Sequence, residues 1–144
     1  MRDLTKELQL EDRVVFLGAL ERDDVPKYRN TIVSDAFVHP SRSEGLGLTL
    51  LSAMAARVPV VTTQVGGLAD YIFDETRNPD KPTTAWAVDP DSPEQIAKAI
   101  KDIMENPDKV KRVTDTARAM VEREYHWDPI AEQMRDNVFA KLWS

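Results

Sequence analysis

The chain has 144 residues, a net charge of −6, 42% apolar and 31% charged residues, no Cys and two His; that is enough for one domain with a real core. The acids are spread along the chain without a block, which argues against a nucleic-acid or anionic-membrane surface, because those need clustered Lys and Arg. Without Cys there are no disulfides, thiolate metal sites or Cys nucleophiles, and the separated His39 and His126 do not make a structural zinc site.

The opening MRDLTKELQLEDR is charged throughout and has no signal-peptide apolar core, so a cytoplasmic location is the default expectation. The least polar run, 46–56, is too short to span a bilayer and leads into Arg57 and Pro59. Residues 1–10 read as a helix that stops at EDR. RVVFLGAL (13–20) has the β-branched and aromatic content of a buried strand, and DDVPKYRNTI (23–32) reads as a short helix. DAFVHP is a strand closed by Pro40, and LGLTLLSAMAA is a helix of strong formers with little polar face, which predicts burial. PVVTTQ is the next strand, GG a turn, LADYIFDE a short helix, TRNPDKPTT an exposed loop and AWAVDP a further strand. SPEQIAKAIKDIMEN carries Ser92 as N-cap, Pro93 at the first helical position and Gln95 spaced for a capping box; Asn106-Pro107 ends it, and two more helices follow.

Four β runs alternating with helices predict an α/β fold: a Rossmann-like parallel sheet flanked by helices, with a helical C-terminal third. No linker or repeat is visible, so residues 1–144 are expected to form a single domain. In such a sheet, ligands bind at the carboxyl ends of the strands. SRSEGLG lies there, between DAFVHP and a buried helix. Its glycines allow close backbone approach, and free amides at a helix start favour an anion. A packing-only reading remains open, in which Gly45 and Gly47 merely let strand and helix come close. A dinucleotide fingerprint is disfavoured, since Leu50 holds the third glycine position and the next strand ends at Thr63-Gln64 without an acid.

Pro40-Ser41, Glu44-Gly45-Leu46-Gly47-Leu48, Ala53-Met54-Ala55, Pro59-Val60-Val61 and Gly66-Gly67 occur in fixed order. Together they resemble the donor-site segment of the family 4 retaining glycosyltransferases (glycosyltransferases group 1). DRVVFLGAL upstream and VDPDSPEQIAKAI with Tyr125-x-Trp127 downstream extend the resemblance over nearly the whole chain. It implies most of the C-terminal, donor-binding domain of a GT-B enzyme, whose active site lies in a cleft between two Rossmann-like domains. It implies that Glu44, the candidate catalytic residue, reaches hydroxyls of the transferred sugar. It further implies that the amides of Gly45, Leu46, Gly47, Leu48 and Thr49 face sugar and diphosphate, and that Ser52 and Leu20 border ribose and base. The ligand would be a UDP-, GDP- or ADP-linked sugar, with no cofactor and no metal required, because backbone dipoles and cations can carry the leaving-group charge.

Three departures qualify the resemblance. Ser52 stands where the family has a ribose-binding glutamate, a loss of about 1–3 kcal/mol if the contact matters. Arg57 replaces a helix-ending glycine, at a cost of about 1 kcal/mol if φ is positive there. The acceptor domain and the basic residues that grip the diphosphate are not in this sequence, so turnover is expected to need an acceptor domain supplied elsewhere. Two readings follow: the nucleotide-sugar-binding half of a glycosyltransferase, or a non-catalytic oligomerisation or interaction module derived from one. His39, ending a strand beside the site, reads as a satisfied polar residue in preference to a catalytic one, His126 as a surface or capping residue, and Asp70 and Asp74 as solvated. Tyr125, Trp127 and Trp143 read as helix-packing anchors. Ile130, Met134, Val138, Leu142 and Trp143 form an apolar face whose lack of cover predicts self-association.

Overall fold

The computed structural model describes residues 1–19, 21 and 35–142. They belong to two compact units, Met1–Val33 and Ser34–Ser144. In the first, α1 spans Arg2–Glu7. It ends earlier than expected because Gln9 turns left-handed (φ 54). There the Leu10 amide bonds the Thr5 carbonyl and the Gln9 amide the Lys6 carbonyl, the paired closure of a Schellman motif. The Arg2 guanidinium lies 4.6 Å from the Phe16 ring centre. The strand expected over 13–20 is not formed in its described part: residues 14–17 join no ladder and Val15 is 81% exposed. β-branched content only fits a residue to a pleated surface, and without a neighbouring strand it makes no strand. Leu20 and the helix expected over 23–32 lie outside the described residues.

The second unit runs β1 (Phe37–His39), α2 (Leu48–Ala55), β2 (Val60–Thr63), a 3₁₀ turn (Gly66–Asp70), β3 (Trp86–Val88), α3 (Pro93–Glu105), α4 (Pro107–Glu124), α5 (Trp127–Met134), a π-helical segment (Arg135–Phe139) and α6 (Ala140–Leu142). The strands form a parallel sheet in the order β1-β2-β3, with Phe37 opposite Val60 and Val61 opposite Trp86. Every residue of the central β2 is buried. The pleat sends Val60 and Val61 to opposite faces. Val60 packs with Leu50, Met54, Leu68, Tyr71 and Ile72, and Val61 with Trp86, Val88, Ala99, Ile103 and Val113. The sheet is thus covered on both sides, as parallel sheets require.

Local chemistry explains where the elements stop. α2 ends at Ala55 with Ala56 as its C-cap, and Arg57 takes the left-handed conformation (φ 57) that the missing glycine would adopt. The Arg57 amide bonds the Met54 carbonyl and the Val58 amide the Ala53 carbonyl, a second Schellman closure. The expected helix over LADYIFDE is replaced by the shorter 3₁₀ turn, which starts at the glycines and ends at Asp70. Ser92 is the N-cap of α3 but makes no side-chain capping bond. Gln95 is drawn away instead, accepting from the Asp89 amide and donating to the Asp89 carboxylate, so no capping box forms. No helix among the described residues is long and apolar enough to cross a membrane.

Candidate functional site

The loop over 40–47 leaves the carboxyl end of β1 and enters α2, and the two threonines ending β2 hold its start. Thr62 donates to the His39 carbonyl (2.8 Å) and Thr63 to the Ser41 carbonyl (2.6 Å). The Gly67 amide donates to the Glu44 carbonyl (3.3 Å). A Cβ on Gly66 would overlap that carbonyl oxygen, and one on Gly67 would overlap the Gly45 carbonyl oxygen. The GG turn is therefore the wall against which the loop backbone rests. Tyr71 completes it, donating its hydroxyl to the Leu46 carbonyl (2.6 Å). Burial keeps that phenol well above its usual pKa, so it remains the donor.

The two glycines of EGLG differ in kind. Gly47 is left-handed (φ 66), and a Cβ there would sit 2.8 Å from Leu68 Cδ2 and 2.8 Å from the Tyr71 hydroxyl. It is required for packing. Gly45 has no positive φ, and a Cβ there would meet nothing within 4 Å. Packing within this chain does not explain it.

Glu44 is half-buried, with its carboxylate bonded at both ends. Oε2 lies 3.0 Å from His39 Nε2, and Oε1 accepts from the Gly45 amide at 3.1 Å. The His39 bond first, then the Gly45 amide, holds the carboxyl below the usual glutamate range, so it is ionised at neutral pH. The Gly45 amide is thereby engaged, whereas the amides of Leu46, Gly47, Leu48 and Thr49 have no acceptor among the described residues. Those amides stand at the start of α2, where the helix dipole favours an anion by roughly 0.3–1 kcal/mol when exposed. Ser52 lies in the second turn of α2 and its hydroxyl makes no hydrogen bond to the described residues.

The structure thus brings Glu44, Gly45, Leu46, Gly47, Leu48 and Thr49 together on one edge of the sheet, with Ser52 behind them on α2; Leu20 lies outside the described residues. Arg42, the cation within the loop, is turned to Asp91, with Nη2 2.8 Å from Oδ1. A cavity of about 510 Å³ lies elsewhere, lined by Trp86, Gln95, Lys98, Asp102 and Lys109. Among the described residues no group of His, Asp or Glu is placed to hold a metal ion.

Other expectations divide. The His126 ring accepts from the Asp128 amide and caps α5. Asp70 is exposed, but Asp74 is buried: it accepts from the Thr76 amide and hydroxyl and from the Ala87 amide, tying its loop to β3. Tyr125 packs edge-on to Tyr71 at 5.5 Å, whereas Trp127 is 80% exposed and anchors nothing, because α5 buries no residue. Trp143 lies outside the described residues. Thr62, Thr63 and Tyr71 were not expected to hold the site, and His39 was expected beside it chiefly as a satisfied polar residue. The visible signal was the polar Thr-Thr-Gln ending of an otherwise apolar strand.

The model of the family described as glycosyl transferases group 1 matches residues 1–120. The chain belongs to that family. It is 32% identical to an uncharacterized glycosyltransferase of Methanocaldococcus jannaschii over 133 residues, 92% of this chain and 32% of that one. It is 29% identical to a GDP-mannose-dependent alpha-(1-6)-phosphatidylinositol monomannoside mannosyltransferase of Mycobacterium tuberculosis, over 94% of this chain and 35% of the relative. The chain thus spans about a third of the length of these relatives. Among solved structures, sucrose-phosphate synthase from Thermosynechococcus elongatus matches with TM-score 0.79 and 29% identity, over 99% of this chain and 33% of that one. Anabaena HepE, determined in complex with UDP and glucose, matches with TM-score 0.80 at 22% identity, over 96% of this chain and 35% of that one. The fold of this group 1 domain is that of GT-B glycosyltransferase domains.

Proposed function

We propose that this group 1 domain binds a nucleotide-diphosphate sugar and serves as the donor half of a retaining glycosyltransferase, with the acceptor oriented by another domain. The observation that carries the reading is Gly45, a residue that neither backbone conformation nor packing requires, set between an ionised Glu44 and a row of unbonded helix-start amides. A carboxylate that can accept sugar hydroxyl protons beside amides that can take a diphosphate matches one ligand at both ends. The UDP and glucose held by the HepE structure supply the class of ligand to try first.

Calorimetric titration with UDP, GDP and ADP and their sugars tests this. Gly45→Ala leaves stability within about 0.5 kcal/mol, as for a substitution into open space. It weakens nucleotide-sugar binding by about tenfold or more, because the added methyl occupies the space where the ligand would approach. Glu44→Ala abolishes the sugar's contribution. Absence of binding at millimolar ligand would end the donor-site reading.

The same proposal gives the C-terminal helices a partner surface. Met134 is 52% exposed, Val138 45% and Leu142 70%, and apolar faces of that kind mark association surfaces. Self-association of the isolated chain follows, and a concentration-independent monomer mass in sedimentation counts against it.

A further inference from the structure

We infer that His39 is the positioning residue that sets Glu44 for the sugar, an inference that rests on the donor-site reading above. His39 ends β1, and four contacts fix it. Its carbonyl accepts from Thr62 (2.8 Å), its ring stacks on Phe37 (centroids 6.1 Å apart, planes within 9°), and Nε2 faces both Glu44 Oε2 (3.0 Å) and Ser41 Oγ (2.9 Å). An ionised carboxylate can only accept hydrogen bonds. The Nε2 that faces it must therefore carry the proton, in the neutral ring and the imidazolium alike. Glu44 is then gripped from two sides, by a side chain anchored on the sheet and by the Gly45 amide anchored on the GG turn.

The arrangement has two consequences for a ligand. Each Glu44 oxygen uses one of its acceptor sites on the protein and keeps another, so the carboxylate is held in a single rotamer with capacity left for sugar hydroxyl protons. Ser41 Oγ, facing the same N–H, accepts from it and turns its own hydrogen outward. A donor and an acceptor thus lie side by side, the pattern that a pair of neighbouring sugar hydroxyls satisfies. Without His39 the glutamate regains rotamer freedom, and the sugar has to order it again on binding. The bare nucleoside diphosphate does not reach Glu44, so its affinity is indifferent to His39.

The test uses the full 144-residue chain, titrated with UDP-glucose against UDP and with GDP-mannose against GDP. His39→Ala weakens the nucleotide sugar by about tenfold, the weight of one charge-assisted hydrogen bond, and leaves the bare nucleotide within about twofold. His39→Gln, whose side-chain amide can donate to the same carboxylate, recovers most of the loss. Equal weakening of sugar and nucleotide, or a Gln variant no better than Ala, overturns the inference. A wild-type chain that binds neither ligand defeats the donor-site reading instead, and a ligand-free measurement then decides the role of His39. In ¹H–¹⁵N imidazole spectra His39 shows a protonated Nε2 whose resonance moves on Glu44→Gln. An Nδ1-protonated neutral ring, or a resonance indifferent to that substitution, overturns it.

Discussion

The loop over 40–47 and the helical tail over 127–142 both lie at the surface, and they are held by opposite means. The loop has almost no regular structure, yet the Thr63, Gly67 and Tyr71 donors secure its carbonyls from two other segments, and Thr62 holds the His39 carbonyl just before it. The tail is regular almost throughout, yet α5, the π segment and α6 bury no residue. Its order is local, since helical bonds close within a turn, whereas the loop's order is bought by distant segments. The α4 helix shows the contrast within one secondary-structure type, as it buries Val113, Thr114, Ala117 and Met120 where α5 buries none. Regularity and anchoring to the rest of the fold are therefore separate properties here, and the candidate site has the second.

Substitutions test that contrast most strongly in the core beneath the loop. Leu50, at the base of the loop in α2, is fully buried, and Leu50→Ala costs about 3–4 kcal/mol of unfolding free energy. Met134→Ala in the tail costs no more than about 0.5 kcal/mol. Equal losses in urea denaturation would erase the difference between the two regions. Gly67→Ala comes next. Its methyl group overlaps the Gly45 carbonyl oxygen, so the wall or the loop must shift, at about 2 kcal/mol, with nucleotide-sugar binding lost in parallel.

A smaller effect comes from pH, on the side of the unit away from the loop. Asp102 accepts from Lys109 (2.8 Å) and from the Trp86 indole (2.6 Å). The Lys109 bond, opposed by partial burial and helped by Trp86, holds the Asp102 carboxyl below the ordinary aspartate range. The folded state then binds protons less readily than the unfolded chain. The stabilisation is present above the unfolded value of about 3.9 and is lost as pH falls through that value toward the lower folded one. Asp102→Asn flattens this acid-side loss in thermal melts taken from neutral pH to pH 3, and an unchanged slope contradicts the assignment. Burial acts against the Lys109 charge, but the bonds to Asp102 and Glu75 outweigh it, and its pKa stays above the ordinary lysine value.

The smallest effect is at Arg57. Replacing it by glycine relieves a left-handed residue at about 1 kcal/mol and removes the half-exposed Arg57–Asp115 pair (2.8 Å), worth about 0.2–1 kcal/mol. The net is a stabilisation of up to about 0.8 kcal/mol by the same two estimates, read from the urea midpoint. A destabilised variant would mean that the ion pair outweighs the strain.

Much of this was legible in the residues. The strands at Phe37–His39, Val60–Thr63 and Trp86–Val88 and the long helices carry strong local signals: apolar runs closed by Pro, and helix starts with Pro at the first position. The left-handed turn at Arg57 was foreseeable because a helix ending in a tight turn demands that backbone whatever residue occupies it. The 14–17 segment misled, because a strand depends on a partner the segment itself does not encode. Gln95 misled similarly: its capping spacing was right, but Asp89 and Arg77 offered it better bonds from outside the helix.

By itself the sequence determined the family, the α/β order and the loop that carries Glu44, because periodicity, breakers and motif order are local properties of the chain. Only the tertiary structure decided what each loop residue is for. Gly47 is fixed by Leu68 and Tyr71, Gly45 is left open, and His39 meets Glu44 across a turn that β2 and the Gly66-Gly67 wall hold in place. Those distinctions arise from contacts between segments far apart in the chain, and spacing along one strand or helix contains no record of them.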